Sequence, residues 1–168
     1  MDALEIAIKM EIEGKEFYQK ASEKSGDTLG KALFQRLAKE EEFHAAKARE
    51  IATALAEGEK PLAIEESLDS GKKLNSIFAK AKREIEPRQE VASSEFEAIK
   101  IALDMEEKTR KFYEEQSEKA ENEFERRFFK ALTGEERGHY LSLIDYQEYL
   151  TDPTNWFTKS EHISLDGA

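Results

Sequence analysis

The feature that most constrains this chain is an internal repeat. Shifting the sequence by 95 residues aligns its two halves without a gap over about forty positions. Ala3 meets Ala98, Ala7 meets Ala102, and Met10-Glu11 meets Met105-Glu106. Phe17-Tyr18 meets Phe112-Tyr113, Ser22-Glu23-Lys24 meets Ser117-Glu118-Lys119, and Phe34 and Leu37 meet Phe129 and Leu132. Glu40-Glu41 and His44 fall on Glu135-Glu136 and His139. A repeat of this length is one supersecondary unit used twice.

Within each copy the apolar residues recur every three or four positions, as on one face of a helix. Leu4, Ala7, Ile8, Gly14, Tyr18 and Ala21 predict a helix over about residues 2–24. Ser25-Gly26-Asp27 reads as a turn, with Asp27 or Thr28 as the cap of the next helix. Phe34, Leu37, Ala38, Ala45, Ala48, Ile51 and Leu55 predict that helix over about 28–57, stopping near Gly58 and Pro61. The second copy predicts a helix after Ser94, where Ser94-Glu95-Phe96-Glu97 fits a capping box, and another over about 121–150, ended by Asp152-Pro153. Between the copies, residues 58–93 break the pattern. Ser67 to Gly71 is loop-like, and Leu74, Ile77, Phe78, Ala81 and Ile85 suggest a short amphipathic helix. A connection this long is what a crossover needs to return along a helix pair. Two hairpins joined by one crossover make an all-α, ferritin-like four-helix bundle, over residues 1–150, with 151–168 as a tail. Trp156 and Phe157 in that tail are expected to pack back on the bundle.

Each predicted stripe is interrupted by charge. Glu11 and Glu106 lie on the apolar faces of the first and third helices, and Glu41-x-x-His44 and Glu136-x-x-His139 on those of the second and fourth. Residues three apart share a helix face, so a carboxylate and an imidazole so placed can bind one ion together. One Glu-x-x-His in a chain with 37 acidic residues and three histidines means little. Two copies at one offset, each 30 residues after a carboxylate on the preceding helix, put both sets at one height in the bundle. Four carboxylates and two imidazoles in a dry core need cations, because like charges and burial both oppose ionisation. The donor set suits two iron ions, or manganese, with zinc fitting less well. Glu40 and Glu135 compete with Glu41 and Glu136, since a spacing of four also shares a face. The spacing of three is preferred because Phe34, Leu37 and Ala38 turn that side inward. Tyr18 and Tyr113 read as core residues whose hydroxyls bond a ligand carboxylate. His162 reads as a solvated residue of the tail.

Composition narrows the function classes. A formal net charge of −11 argues against nucleic acid or an anionic membrane as partner. The absence of cysteine excludes disulfides, thiolate metal sites and iron–sulfur clusters. No apolar run reaches membrane-spanning length and the N-terminus lacks a basic start, so a cytoplasmic protein is expected.

These residues resemble the rubrerythrin-like branch of the ferritin-like di-iron superfamily. The carrying motifs are Glu11 through Phe17-Tyr18 with Glu41-x-x-His44, their copies, and the ending Tyr146 to Pro153 followed by Trp156-Phe157. The resemblance implies Glu11 and Glu106 as terminal ligands, Glu41 and Glu136 as bridges, and His44 and His139 each capping one iron. It also implies a non-haem di-iron oxidoreductase acting on hydrogen peroxide or dioxygen, with a role in oxidative stress. Two departures stand out. Rubrerythrins proper carry a cysteine-ligated rubredoxin domain, and this chain has no cysteine, so electrons must come from an external donor. They also carry an extra Glu one turn after the third-helix ligand, where this chain has Thr109, with Gly14 in the equivalent place on the first helix. Iron binding, storage or ferroxidase activity without peroxidase turnover is the alternative, and a metal-free helical interaction module the third reading. The long crossover also leaves room for a homodimer formed by helix exchange.

Overall fold

A computed structural model describes residues 2–61, 77–78 and 93–165, with side chains described through Lys159. The described residues form α1 (Ala3–Lys24), α2 (Thr28–Ala56), α3 (Ser93–Lys119), α4 (Glu123–Thr151) and α5 (Pro153–Leu165). The fold is an all-α ferritin-like bundle. The loop-like stretch Ser67 to Gly71 and most of the suggested helix over 74–85 lie outside the described residues. Of that helix, Ile77 and Phe78 are described and helical, and Phe78 is buried against the core.

Helix ends follow the local chemistry. Asp2 caps α1 in a capping box with Glu5, and the Asp27 side chain caps α2 by accepting from the Gly30 amide at 2.8 Å. Asn122, at the repeat position of Asp27, caps α4 through Phe124. After α2 the chain turns at Gly58, whose φ of 71° suits a residue without a Cβ. Asp152 separates α4 from α5 and accepts from the Asn155 amide, so the predicted stop at Asp152-Pro153 is also a helix start.

The Ser94 capping box is a misreading. α3 already includes Ser93 and Ser94. Glu95 is instead buried, and its carboxylate accepts from Ser25 Oγ and the Gly26 amide, both at 2.8 Å. Glu95, the residue after Ser94, is held by a distant partner in the α1–α2 turn.

Each hairpin packs tightly on itself, α1 on α2 and α3 on α4, and the hairpins meet along α1–α3 and α2–α4. The core is divided in two. One apolar cluster gathers Leu33, Phe34, Leu37, Ile99, Leu143, Tyr146 and Trp156 around Tyr18. The other gathers Leu4, Ala48, Ile51, Phe128 and Leu132 around Tyr113. Burial of each large side chain stabilises the fold by about 1.5–3 kcal/mol. Tyr18 and Tyr113, both fully buried, reach a charged layer from opposite clusters. α5 is short, and the buried Trp156 seats it by donating from Nε1 to Asp145 at 3.0 Å.

Candidate metal centre

The six charged residues that interrupt the predicted stripes come together in this layer. Glu11, Glu41, His44, Glu106, Glu136 and His139 are each at most 3% exposed. Their ligating atoms form two groups, Glu11, Glu41, His44 and Glu136 on one side and Glu41, Glu106, Glu136 and His139 on the other. Within each group one atom per residue lies within 4.8 Å of all the others. Glu41 and Glu136 belong to both groups. The arrangement is two-fold in character. α1 and α3 supply one carboxylate each, α2 and α4 supply Glu-x-x-His each, and the His44 and His139 rings lie nearly parallel with centroids 5.6 Å apart.

The tyrosines cross between hairpins. Tyr18 on α1 donates to Glu106 on α3, and Tyr113 on α3 donates to Glu11 on α1. Glu11 and Glu106 each therefore have one oxygen bound by a phenol of the other repeat, which leaves the second oxygen for the interior.

Glu40 and Glu135 do not join either group. They lie behind the imidazoles. His139 Nε2 is 3.1 Å from Glu40 Oε2, and His44 Nε2 is 3.8 Å from Glu135 Oε2. A carboxylate at Nε2 favours the tautomer with the proton there, which would leave the Nδ1 lone pair for an ion in the centre. Spacing on a helix allowed either acid of each pair to be the inward one. What it did not contain is the other hairpin, which gives the rejected acid a histidine to orient. Arg36, one turn before Glu40, ion-pairs with that carboxylate and holds it in place. Replacing Glu40 by Ala is expected to weaken metal binding roughly 10–100-fold with all six inward residues intact. Glu135→Ala should cost less, since its contact is longer. A chelator-competition titration reads both, and equal affinities in Glu40→Ala and the parent protein would remove the orienting role.

Gly14 also matters here. A Cβ at that position would lie 3.2 Å from Glu41 Cδ, so the bare backbone of α1 admits the Glu41 carboxylate. Thr109, its repeat mate, turns its hydroxyl to the Met105 carbonyl at 2.8 Å and offers the centre no charge.

The electrostatics call for cations. Five buried atoms of the six residues have no hydrogen-bond partner: Glu11 Oε2, Glu106 Oε2, Glu136 Oε1 and both imidazole Nδ1 atoms. His44 Nδ1 is 3.3 Å from Glu11 Oε2, and His139 Nδ1 is 3.5 Å from Glu106 Oε2, without forming hydrogen bonds. Orphaned buried acceptors cost about 1–3 kcal/mol each, more when charged, and here they converge. Protons are the only other relief. Burial lifts Glu41 to about 8, with the Glu11 charge adding to it. Burial, then the charge of Glu106, lifts Glu136 as well. Burial opposes charging of the histidines, but the Glu11 carboxylate raises His44, and Glu106 raises His139, well above the ordinary imidazole value. Burial also works to raise Glu11, which Glu41, His44 and Tyr113 together hold below the usual carboxylate range. A set that must bind protons unless a cation is present fits a metal.

A family model described as Rubrerythrin matches residues 2–145 of the chain. No curated protein and no solved structure gives a match. No described helix is long and apolar enough to cross a membrane.

Proposed function

Because the chain belongs to the rubrerythrin family, whose model spans residues 2–145, we propose that its buried centre holds two iron ions and that the protein is a di-iron oxidoreductase acting on hydrogen peroxide or dioxygen. The observation that carries this reading is the convergence of five partnerless acceptor atoms in two groups that share Glu41 and Glu136. In the proposal Glu11 with His44 and Glu106 with His139 each hold one ion, and Glu41 and Glu136 are shared between them. Iron bound there supplies reducing equivalents to an oxygen–oxygen bond and acts as a Lewis acid on it.

The protein's own part is positioning. Tyr18 and Tyr113 each hold one oxygen of a terminal carboxylate and orient the other. Glu40 and Glu135 direct the imidazole lone pairs inward. The apolar clusters on both sides keep the layer dry, which strengthens every charge interaction in it. In this reading a separate electron donor restores the reduced state.

Titration of metal-free protein with ferrous iron under exclusion of oxygen is expected to saturate near two ions per chain. Peroxide should then oxidise the bound iron with a change in absorbance. Saturation at far higher ratios, with a closed shell of many subunits on size exclusion, would instead establish storage. No bound metal would leave only a helical interaction module.

A further inference from the structure

Among the described residues, a line of aromatic rings leads from the centre to a surface cleft on one side only. Tyr18, whose hydroxyl donates to Glu106, stacks on Phe34 with centroids 6.1 Å apart. Phe34 meets the edge of Tyr146 at 5.9 Å, Tyr146 stacks on Tyr149 at 6.2 Å, and Tyr149 meets Trp156 at 5.2 Å. Trp156 lines a surface cleft with Phe96, Gln147, Asp152, Asn155 and Lys159. The line crosses α1, α2, α4 and α5. Its counterpart stops short. Tyr113 stacks on Phe129 at 5.9 Å, but the repeat positions of Tyr146, Tyr149 and Trp156 hold Ile51, Ala54 and Pro61.

Three oxidisable rings on this line each have a carboxylate at their acidic hydrogen. Tyr18 donates to Glu106. The Tyr146 hydroxyl lies 3.1 Å from Glu95 Oε2 and 3.2 Å from Asp27 Oδ2, and can donate to one at a time. Trp156 donates to Asp145 at 3.0 Å. Loss of an electron from a phenol or indole makes its hydrogen strongly acidic, so a waiting base is what a ring needs to be oxidised and restored. Packing alone explains the contacts between rings. The two buried carboxylates at the Tyr146 hydroxyl, which also cap α2 and bind the α1–α2 turn, stand within reach of the phenolic proton.

We propose that Tyr18, Tyr146 and Trp156, in contact through Phe34 and Tyr149, form a one-electron relay between the buried centre and the surface cleft at Trp156. Its inner end rests on the di-iron reading above; its outer segment does not. An electron passes inward from Tyr18, and its hydroxyl proton moves to Glu106. Tyr146 refills Tyr18 across Phe34; the proton returns from Glu106 to Tyr18, while that of Tyr146 goes to Glu95 or Asp27. Trp156 refills Tyr146 across Tyr149; the proton returns from Glu95 or Asp27 to Tyr146, while the indole proton goes to Asp145. A soluble one-electron carrier at the cleft refills Trp156, and the proton returns to it from Asp145. Each passage moves one electron and leaves every ring and carboxylate as it began. Two passages, with two protons from solvent, match the reduction of one hydrogen peroxide to two waters.

The outer segment is testable without metal, because Trp156 is the single tryptophan of the chain. Pulse radiolysis of metal-free protein with azidyl radicals should oxidise Trp156. Its indolyl absorbance should then give way to tyrosyl absorbance at a rate independent of protein concentration. In Tyr146→Phe/Tyr149→Phe, which keeps both rings, that conversion should be lost. Unchanged conversion in the double variant, or none in the parent, would overturn the relay. For the inner end, iron-loaded protein treated with peroxide without a donor should accumulate oxygen adducts on Trp156, mapped by mass spectrometry. Tyr146→Phe should lower them several-fold at equal iron content, and equal adduct yield would overturn it. If iron fails to bind while conversion in the metal-free protein holds, the metal reading falls and the outer segment stands.

Discussion

Replacing Glu41 and Glu136 together by Ala is expected to cut bound iron from about two ions per chain to near none. The two carboxylates belong to both donor groups, so the double change strips two of the four donors from each. Glu11→Ala removes a donor from one group only and should lose one ion before the other. The bundle should survive the double change. Without metal, Glu41 is lifted to about 8 by burial and the Glu11 charge, so at neutral pH it is held largely as the neutral acid. The variant then gives up no ion pair of the kind whose breakage costs about 3–5 kcal/mol. Elemental analysis after anaerobic reloading, with far-ultraviolet circular dichroism as the check on folding, decides the matter. A folded double variant that still carries two ions would mean that other residues hold the metal.

The second large effect concerns two glycines that local reasoning treats alike. Gly30 and Gly134 both lie inside helices, where Ala is favoured over Gly by about 1 kcal/mol. Gly134→Ala should gain up to that amount, because a Cβ there meets nothing within 4 Å. Gly30→Ala should lose stability. Its Cβ would fall 2.0 Å from the Tyr146 hydroxyl and 2.6 Å from Cζ of that ring. Tyr146 cannot swing away, because it is fully buried and its hydroxyl is held between Asp27 and Glu95. Overpacking of this kind costs about 1–3 kcal/mol, which outweighs the gain in propensity. For a chain of this size each kcal/mol moves the thermal midpoint by about 2–4 °C. Midpoints that shift in opposite directions would bear this out. A rise in both would show that the α2–α4 contact yields more easily than its hydrogen bonds suggest.

These two glycines mark where sequence reading stops. Helix starts at Asp27 and Asn122 and the break at Asp152-Pro153 follow from groups within a turn of each other. So do the apolar stripes, because burial of one face is a local periodic demand. The close approach of Tyr146 to Gly30 joins residues 116 positions apart, and nothing in either neighbourhood announces it. The burial of Glu95 has the same origin. Glu95 is bound by Ser25, Gly26 and Tyr146, partners that only the packed bundle supplies. The roles of Glu40 and Glu135 were half visible. Their position next to the inward acids was plain, but the histidine each one faces belongs to the other hairpin.

By itself the sequence determined the bundle and the six residues that meet at its centre. A 95-residue repeat fixes two equal hairpins, and charges on apolar stripes have no stable place except one where they converge. Only the tertiary structure decided which oxygen faces inward, which acid stands behind each imidazole, and that one half of the bundle carries a line of rings to the surface. Those outcomes depend on contacts between hairpins. Helical periodicity says which face a residue occupies, but not what the opposite face presents to it.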